Sequence, residues 1–187
     1  MLHARKTLVT AVTVIAISCS PASLMAQKDP DVGGAPMYTN KNIVQNAVNS
    51  KDHTTLVAAV KAAGLVDTLQ SAGPFTVFAP VNAAFDKLPA GTVDTLLKPE
   101  NKDQLVKILT YHVVAGKVSS SDLVKMIKEG NGNAELKTVE GGKLTASIND
   151  GKVILTDEKG GTATVTIADV FQSNGVIHVV DSVLLPN

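Results

Sequence analysis

Three observations predict an α+β fold for this chain. Apolar residues recur at helical spacing through its first half. Short alternating runs, separated by Gly-containing turns, fill its last third. One early stretch of strand composition, residues 74–80, has no nearby partner and must join the later strands in a sheet built from both ends of the chain.

The elements follow in order. Residues 42–50 (NIVQNAVNS) place apolar side chains at 43, 44, 47 and 48 behind Asn42, a good helix cap. Residues 54–63 (TTLVAAVKAA) read as a second helix, with Gly64 suited to its left-handed stop. Leu65, Val66 and Leu69 add a short further turn. Residues 74–80 (PFTVFAP) switch to strand composition, ended by Pro80. Asn82 is expected to cap a short helix carrying Phe85 and Leu88. Residues 91–97 (GTVDTLL) form another short helical piece, stopped near Pro99. In 101–114 (NKDQLVKILTYHVV), Leu105, Ile108 and Leu109 share a helical face before the chain turns extended at 112–114. Ser120 or Ser121 is expected to cap 122–129 (DLVKMIKE), and Gly130 to stop it. Four short strands then follow: AELKTV, KLTASIN, KVILTD and TATVTIADV. They are parted by Glu140-Gly141-Gly142, Asp150-Gly151 and Lys159-Gly160-Gly161, and an Asp-Gly pair between alternating runs is a strong hairpin signal. The last strand, 175–180 (GVIHVV), is apolar on both faces and reads as central.

The first 26 residues have the layout of a secretory signal peptide. Arg5 and Lys6 precede an apolar run at 8–17 that is too short to span a bilayer, and small-residue character returns at Ala26. Export to the periplasm, cell surface or extracellular space is expected. Residues 27–41, rich in Pro, Gly and Asp, read as a flexible leader, and 42–187 as one domain. Cys19 is the only cysteine and lies inside the signal, so a mature chain from residue 27 has no disulfide or thiolate chemistry. No second long apolar run suggests a membrane span.

Charge narrows the function classes. Setting Arg5 and Lys6 aside leaves 15 of the 17 basic residues against 17 acidic ones, with signs mixed. Nucleic acid, which calls for a basic face, is not expected as a partner. The chain has no Trp, two Tyr and four Phe, too few for a stacking platform. Phe75, Phe78 and Phe85 cluster around the early strand and are expected in the core.

No catalytic or cofactor signature is present, and none is expected. His53, His112 and His178 are spaced unlike zinc ligands, so no metal is expected either. A Gly-x-Ser-x-Gly elbow and a phosphate loop are both lacking. An enzyme site would have to assemble in space from residues such as His112, His178 and Asp181. The structural expectation for His178 is different. A histidine inside a buried strand needs a local hydrogen-bond partner, either Asp181 or a backbone carbonyl.

Three stretches carry a resemblance: FTVFAPVNAAF (75–85), LTYHVVAGKV (109–118) and NGVIHVVDSVLLP (174–186). In this order and spacing they resemble the signature stretches of the fasciclin (FAS1) domain, over 42–187. The departures are Val81 and Ala83, where the first signature usually carries Thr or Ser and an acidic residue. The resemblance implies a wedge of mostly antiparallel strands flanked by short helices. It implies a non-enzymatic adhesion module, without cofactor, that recognises cell-surface or matrix proteins or polysaccharides, and a monomer is expected. From animal members it implies partner-binding roles for Tyr111, His112, Asp169 and Val170. The alternative reading is an exported binder of an apolar small molecule, held in a cleft between helices and sheet.

Overall fold

A computed structural model describes residues 29–187; the expected signal peptide and Cys19 lie outside the described residues. The helical half begins with α1 (Ile43–Ala47), where Asn42 and Gln45 cap each other reciprocally. A 3₁₀ turn (Lys51–His53) leads into α2 (Thr54–Ala63), which ends on Gly64 at φ +73°. α3 (Val66–Gln70) precedes the early strand, and α4 (Asn82–Asp86), α5 (Thr92–Leu96) and α6 (Lys102–Tyr111) follow it. α7 (Ser120–Glu129) lies between the two strand-rich regions. Its cap is Ser119, in a box with Asp122, not Ser120 or Ser121 as expected. The reason is tertiary: the Ser120 amide and hydroxyl are both taken by the Asp169 carboxylate.

Nine strands complete the described residues. β1 (Asp31–Val32) and β2 (Ala35–Pro36) form a small hairpin of their own. β3 (Phe75–Pro80), β4 (Val113–Ala115), β5 (Asn133–Lys137), β6 (Lys143–Asn149), β7 (Lys152–Thr156), β8 (Thr162–Gln172) and β9 (Gly175–Val180) make one sheet in the order β4-β3-β9-β8-β7-β6-β5. From β5 to β9 each strand pairs antiparallel with the next, as the Gly-containing turns predict. Asp150 and Gly151, both at positive φ, make the two-residue turn between β6 and β7. The early strand β3 enters parallel to β9, pairing Phe75 with Gly175 through to Pro80 with Val180. The approach is close: a Cβ on Gly175 would sit 2.1 Å from the Phe75 carbonyl oxygen. The two ends of the sheet also touch. A bridge joins Val114 to Thr138, and Val139 N–H donates to the Val113 carbonyl at 2.8 Å, so the sheet curls into a wedge.

Side-chain alternation along β3 and β9 divides the core in two. Val77, Ala79, Ile177 and Val179 face the helical layer, with Leu56, Val60, Leu105 and Leu109. Phe78 and Val180 face the inside of the curl, with Tyr111, Leu123, Leu144 and Leu155. Every residue of β9 is buried, as a central strand requires. Residues 29–41 correct the expectation of a flexible leader. Val32 and Met37 are almost fully buried in the helical-side core. Tyr38 N–H also donates to Asn46 Oδ1, and Met37 N–H to the Pro30 carbonyl. Two buried apolar side chains and a short hairpin fasten a segment whose composition alone reads as a tether.

Candidate functional site

The three signature stretches come together because their strands are neighbours at one end of the sheet. β4, β3 and β9 lie side by side, and α6 delivers the chain into β4 through Tyr111 and His112. His112 caps α6 and is buried. Leu184 N–H donates to its Nε2 at 3.0 Å, so Nε2 is an acceptor and the ring proton sits on Nδ1, which donates to the Ile108 carbonyl at 2.8 Å. The imidazole is thus a neutral clamp between α6 and the segment after β9. Burial pushes its pKa below the usual histidine value, against the pull of the Ile108 carbonyl and Asp157. Tyr111, fully buried, donates its phenol to the Lys143 carbonyl at 2.7 Å and accepts from Glu158 N–H at 3.2 Å. Burial first, and the neighbouring acidic groups after it, push the phenol up to about 12.

His178 plays the same kind of part in β9. Its Nε2 donates to the Val118 carbonyl at 2.9 Å, and Asp169 N–H approaches Nδ1 at 3.4 Å. Its ring stacks on Phe78, with centroids 5.6 Å apart. Burial lowers its pKa as well, opposed by Val118 and Asp169. Of the two partners expected for it, the backbone carbonyl is the one found. Asp181 instead accepts from Thr164 N–H at 2.8 Å and from the Ser182 hydroxyl. Burial raises the pKa of Asp181, but these bonds and Lys87 outweigh it and hold the carboxyl below its ordinary range. No hydrogen bond joins His112, His178 and Asp181 to one another, so they form no catalytic relay. Among the described residues no group of three or more His, Cys, Asp or Glu side chains could hold a metal ion.

One polar side chain stands apart. His53, which closes the 3₁₀ turn before α2, is 3% exposed. Ser50 Oγ hydrogen-bonds its Nδ1 at 2.9 Å, but no protein group among the described residues hydrogen-bonds its Nε2. Burial lowers its pKa, opposed by the Ala79 carbonyl, which lies near the ring as an acceptor without reaching good hydrogen-bond geometry at Nε2, and by Asp52. His53 borders a cavity of about 70 Å³ between α2, α3 and the outer face of β3 and β9. Sequence reasoning weighed His53 only as a metal ligand. The available signal was its spacing: His53, Leu56, Val57 and Val60 share the apolar face that α2 turns inward.

Comparison with known proteins decides the relationship. The family model described as the Fasciclin domain matches residues 51–186. The chain belongs to the fasciclin domain family. A protein of Synechocystis, sll1483, is 50% identical over 160 residues, covering 86% of this chain and 82% of the relative. The cell surface glycolipoprotein MPB83 of Mycobacterium bovis is 34% identical over 170 residues, covering 88% of this chain and 70% of that one. A solved FAS1 domain pair from the insect cell adhesion molecule fasciclin I shares the fold. Its TM-score is 0.69 at 22% identity, and the match covers 78% of this chain and 51% of that one. The fasciclin family is one of adhesion domains without enzymatic chemistry.

Within this fasciclin fold the residues singled out from sequence are placed as follows. Tyr111, His112 and Val170, given partner-binding roles by resemblance, are at most 3% exposed. An approaching partner does not meet their side chains on the folded surface. Asp169 is half-buried on a bulge of β8 at φ +59°, and its carboxylate is spent on Ser120 at the start of α7. Phe78 and His178 are in the core as expected. Phe75 and Phe85 only flank it, half-buried. Asn82 does not cap its own helix, whose N-cap is Val81. It reaches across to α2 instead. Its Oδ1 accepts from Thr55 N–H at 3.1 Å and from the Thr54 hydroxyl, while its amide donates to the Lys51 carbonyl at 2.8 Å. The cap is real but made in trans, and it ties the first signature stretch to the helical layer.

Proposed function

We propose that this chain is an exported fasciclin-type adhesion or matrix-interaction module. It recognises a cell-surface or matrix protein, or a polysaccharide, through its folded surface and as a monomer. The observation that carries this reading is family membership over most of the chain. The hydrogen bonding supports it: Tyr111, His112, His178 and Asp169, the groups with most chemistry to offer, are each consumed in holding the sheet to its helices. The signal-peptide layout of residues 1–26 and the relative MPB83, named as a cell surface glycolipoprotein, support export. None of the helices among the described residues is long and apolar enough to cross a membrane. The functional unit is best taken from about residue 29, since Val32 and Met37 belong to the core.

The test is a binding isotherm. Labelled protein, residues 27–187, is titrated onto intact cells of its producer and onto immobilised matrix proteins and polysaccharides. Saturable binding that unlabelled protein competes away is expected on at least one of these. Linear, non-competable uptake on every surface would overturn the reading.

A further inference from the structure

We propose that the cavity beneath α2 is a binding site for a small neutral molecule with an apolar body and a single hydroxyl group, anchored on His53 Nε2. This inference is independent of surface adhesion. It rests on two observations that meet at one residue: an apolar chamber that His53 lines, and a buried nitrogen of that ring with no well-formed protein hydrogen bond.

The chamber of about 70 Å³ has several times the roughly 10–15 Å³ that one water molecule needs. That is room for about five water-sized groups. A buried water also needs 2–4 polar partners, and this lining offers few. It is built from side chains such as Val44, Leu56, Val60, Leu69, Val77 and Ile177. Of the buried polar side chains that border it, His112 has both ring nitrogens engaged, which leaves His53 Nε2. The exposed Lys61, Thr68 and Val139 also border the chamber, so a path leads to it from solvent.

The chemistry of the anchor selects the ligand. Ser50 Oγ either donates to Nδ1 or accepts from it, leaving Nε2 as N–H or as lone pair respectively. A hydroxyl serves both cases, since it donates and accepts. A carboxylate or an ammonium does not fit, because the lining offers no compensating charge and burying a lone ion is costly. Asp52, beside it in the chain and exposed, is the charge that acts on the ring, and the exposed Lys61 borders the chamber.

The experiment uses residues 27–187 with 1-pentanol and n-pentane as probes, followed by ¹⁵N NMR of the histidine side chains and by thermal melts. Expected are saturable 1-pentanol binding, a shift at the His53 imidazole, and an alcohol-to-alkane affinity ratio, measured against n-pentane, that falls about tenfold in His53→Phe, the loss of a buried hydrogen bond of about 1.4 kcal/mol. Should that variant fail to fold, Val57→Phe serves. It lies one helical turn from His53, lines the same chamber, and should block both probes while leaving His53 in place. An alcohol-to-alkane affinity ratio that His53→Phe leaves unchanged would overturn the proposal, as would a His53 signal that 1-pentanol leaves unmoved. So would a chamber that saturates with neither probe and holds only water on Nε2.

Discussion

Acidification should destabilise this protein well above the range in which its carboxylates titrate. His53, His112 and His178 are at most 3% exposed, and burial pushes the pKa of each below the ordinary 6.5. The folded chain therefore holds these rings neutral, while the unfolded chain protonates them near 6.5. Below that value the unfolded state binds more protons, so stability is full above pH 6.5 and falls as the pH drops toward the folded pKa values. The neighbours Asp52, Asp157 and Asp169 favour protonation but lose to burial. At pH 5 an unfolded histidine is some 1.5 units below its pKa, and at about 1.36 kcal/mol per unit each ring contributes up to about 2 kcal/mol of lost stability relative to pH 7. Three rings set an upper limit of about 6 kcal/mol, comparable with the whole stability of an ordinary domain, about 5–15 kcal/mol. The assay is urea unfolding followed by far-UV circular dichroism at pH 7, 6 and 5. The midpoint should fall at each step. His112→Gln should lower the midpoint at pH 7 yet flatten its pH dependence by about a third. A midpoint unchanged between pH 7 and 5, or a His112→Gln series parallel to the wild type, would refute the assignment of these rings as buried and neutral.

Three further outcomes are expected. Tyr111→Phe removes the phenol between the Lys143 carbonyl and the Glu158 amide; a loss of about 1.5 kcal/mol, or roughly 5 °C in Tm, should appear by calorimetry. Asn82→Ala uncaps α2 rather than α4, costing about 1 kcal/mol, and hydrogen exchange should quicken at Thr55 and not along α4. A chain shortened to begin at Asn42 loses Val32 and Met37 from the core and should melt several degrees lower; an unchanged Tm would show that the first hairpin contributes nothing.

Where local chemistry dominates, the sequence is a good guide to this fold. α2 spans residues 54–63 and stops at Gly64 because apolar spacing and a left-handed glycine both act within one turn. β6 spans 143–149 and is followed by Asp150-Gly151 for the same kind of reason. The misreadings share a different cause: the deciding partner is far along the chain. Ser119 caps α7 because Asp169, 49 residues beyond Ser120, has already claimed Ser120. Asn82 caps a helix 27 residues behind it. His178 finds its acceptor on Val118, 60 residues away. Val32 and Met37 are isolated apolar residues in a Pro- and Gly-rich stretch, with no periodicity to betray their burial. The candidate site divides along the same line. The family motifs are legible as strings, yet their residues turn out to be struts. The unpartnered nitrogen of His53 depends on the shape of a cavity, which no local pattern encodes.

The parallel pairing of β3 with β9 has a consequence for the order of events during synthesis. β3 emerges about a hundred residues before β9, and until residues 175–180 exist one edge of β3 lacks its hydrogen-bonding strand. The seam between β3 and β9 therefore cannot close on the ribosome before those residues are made. Long-range pairing of this kind slows folding. Here β9 is the strand that joins the β4-β3 pair to the antiparallel run from β8 to β5, so the two parts of the sheet become one only when it is in place.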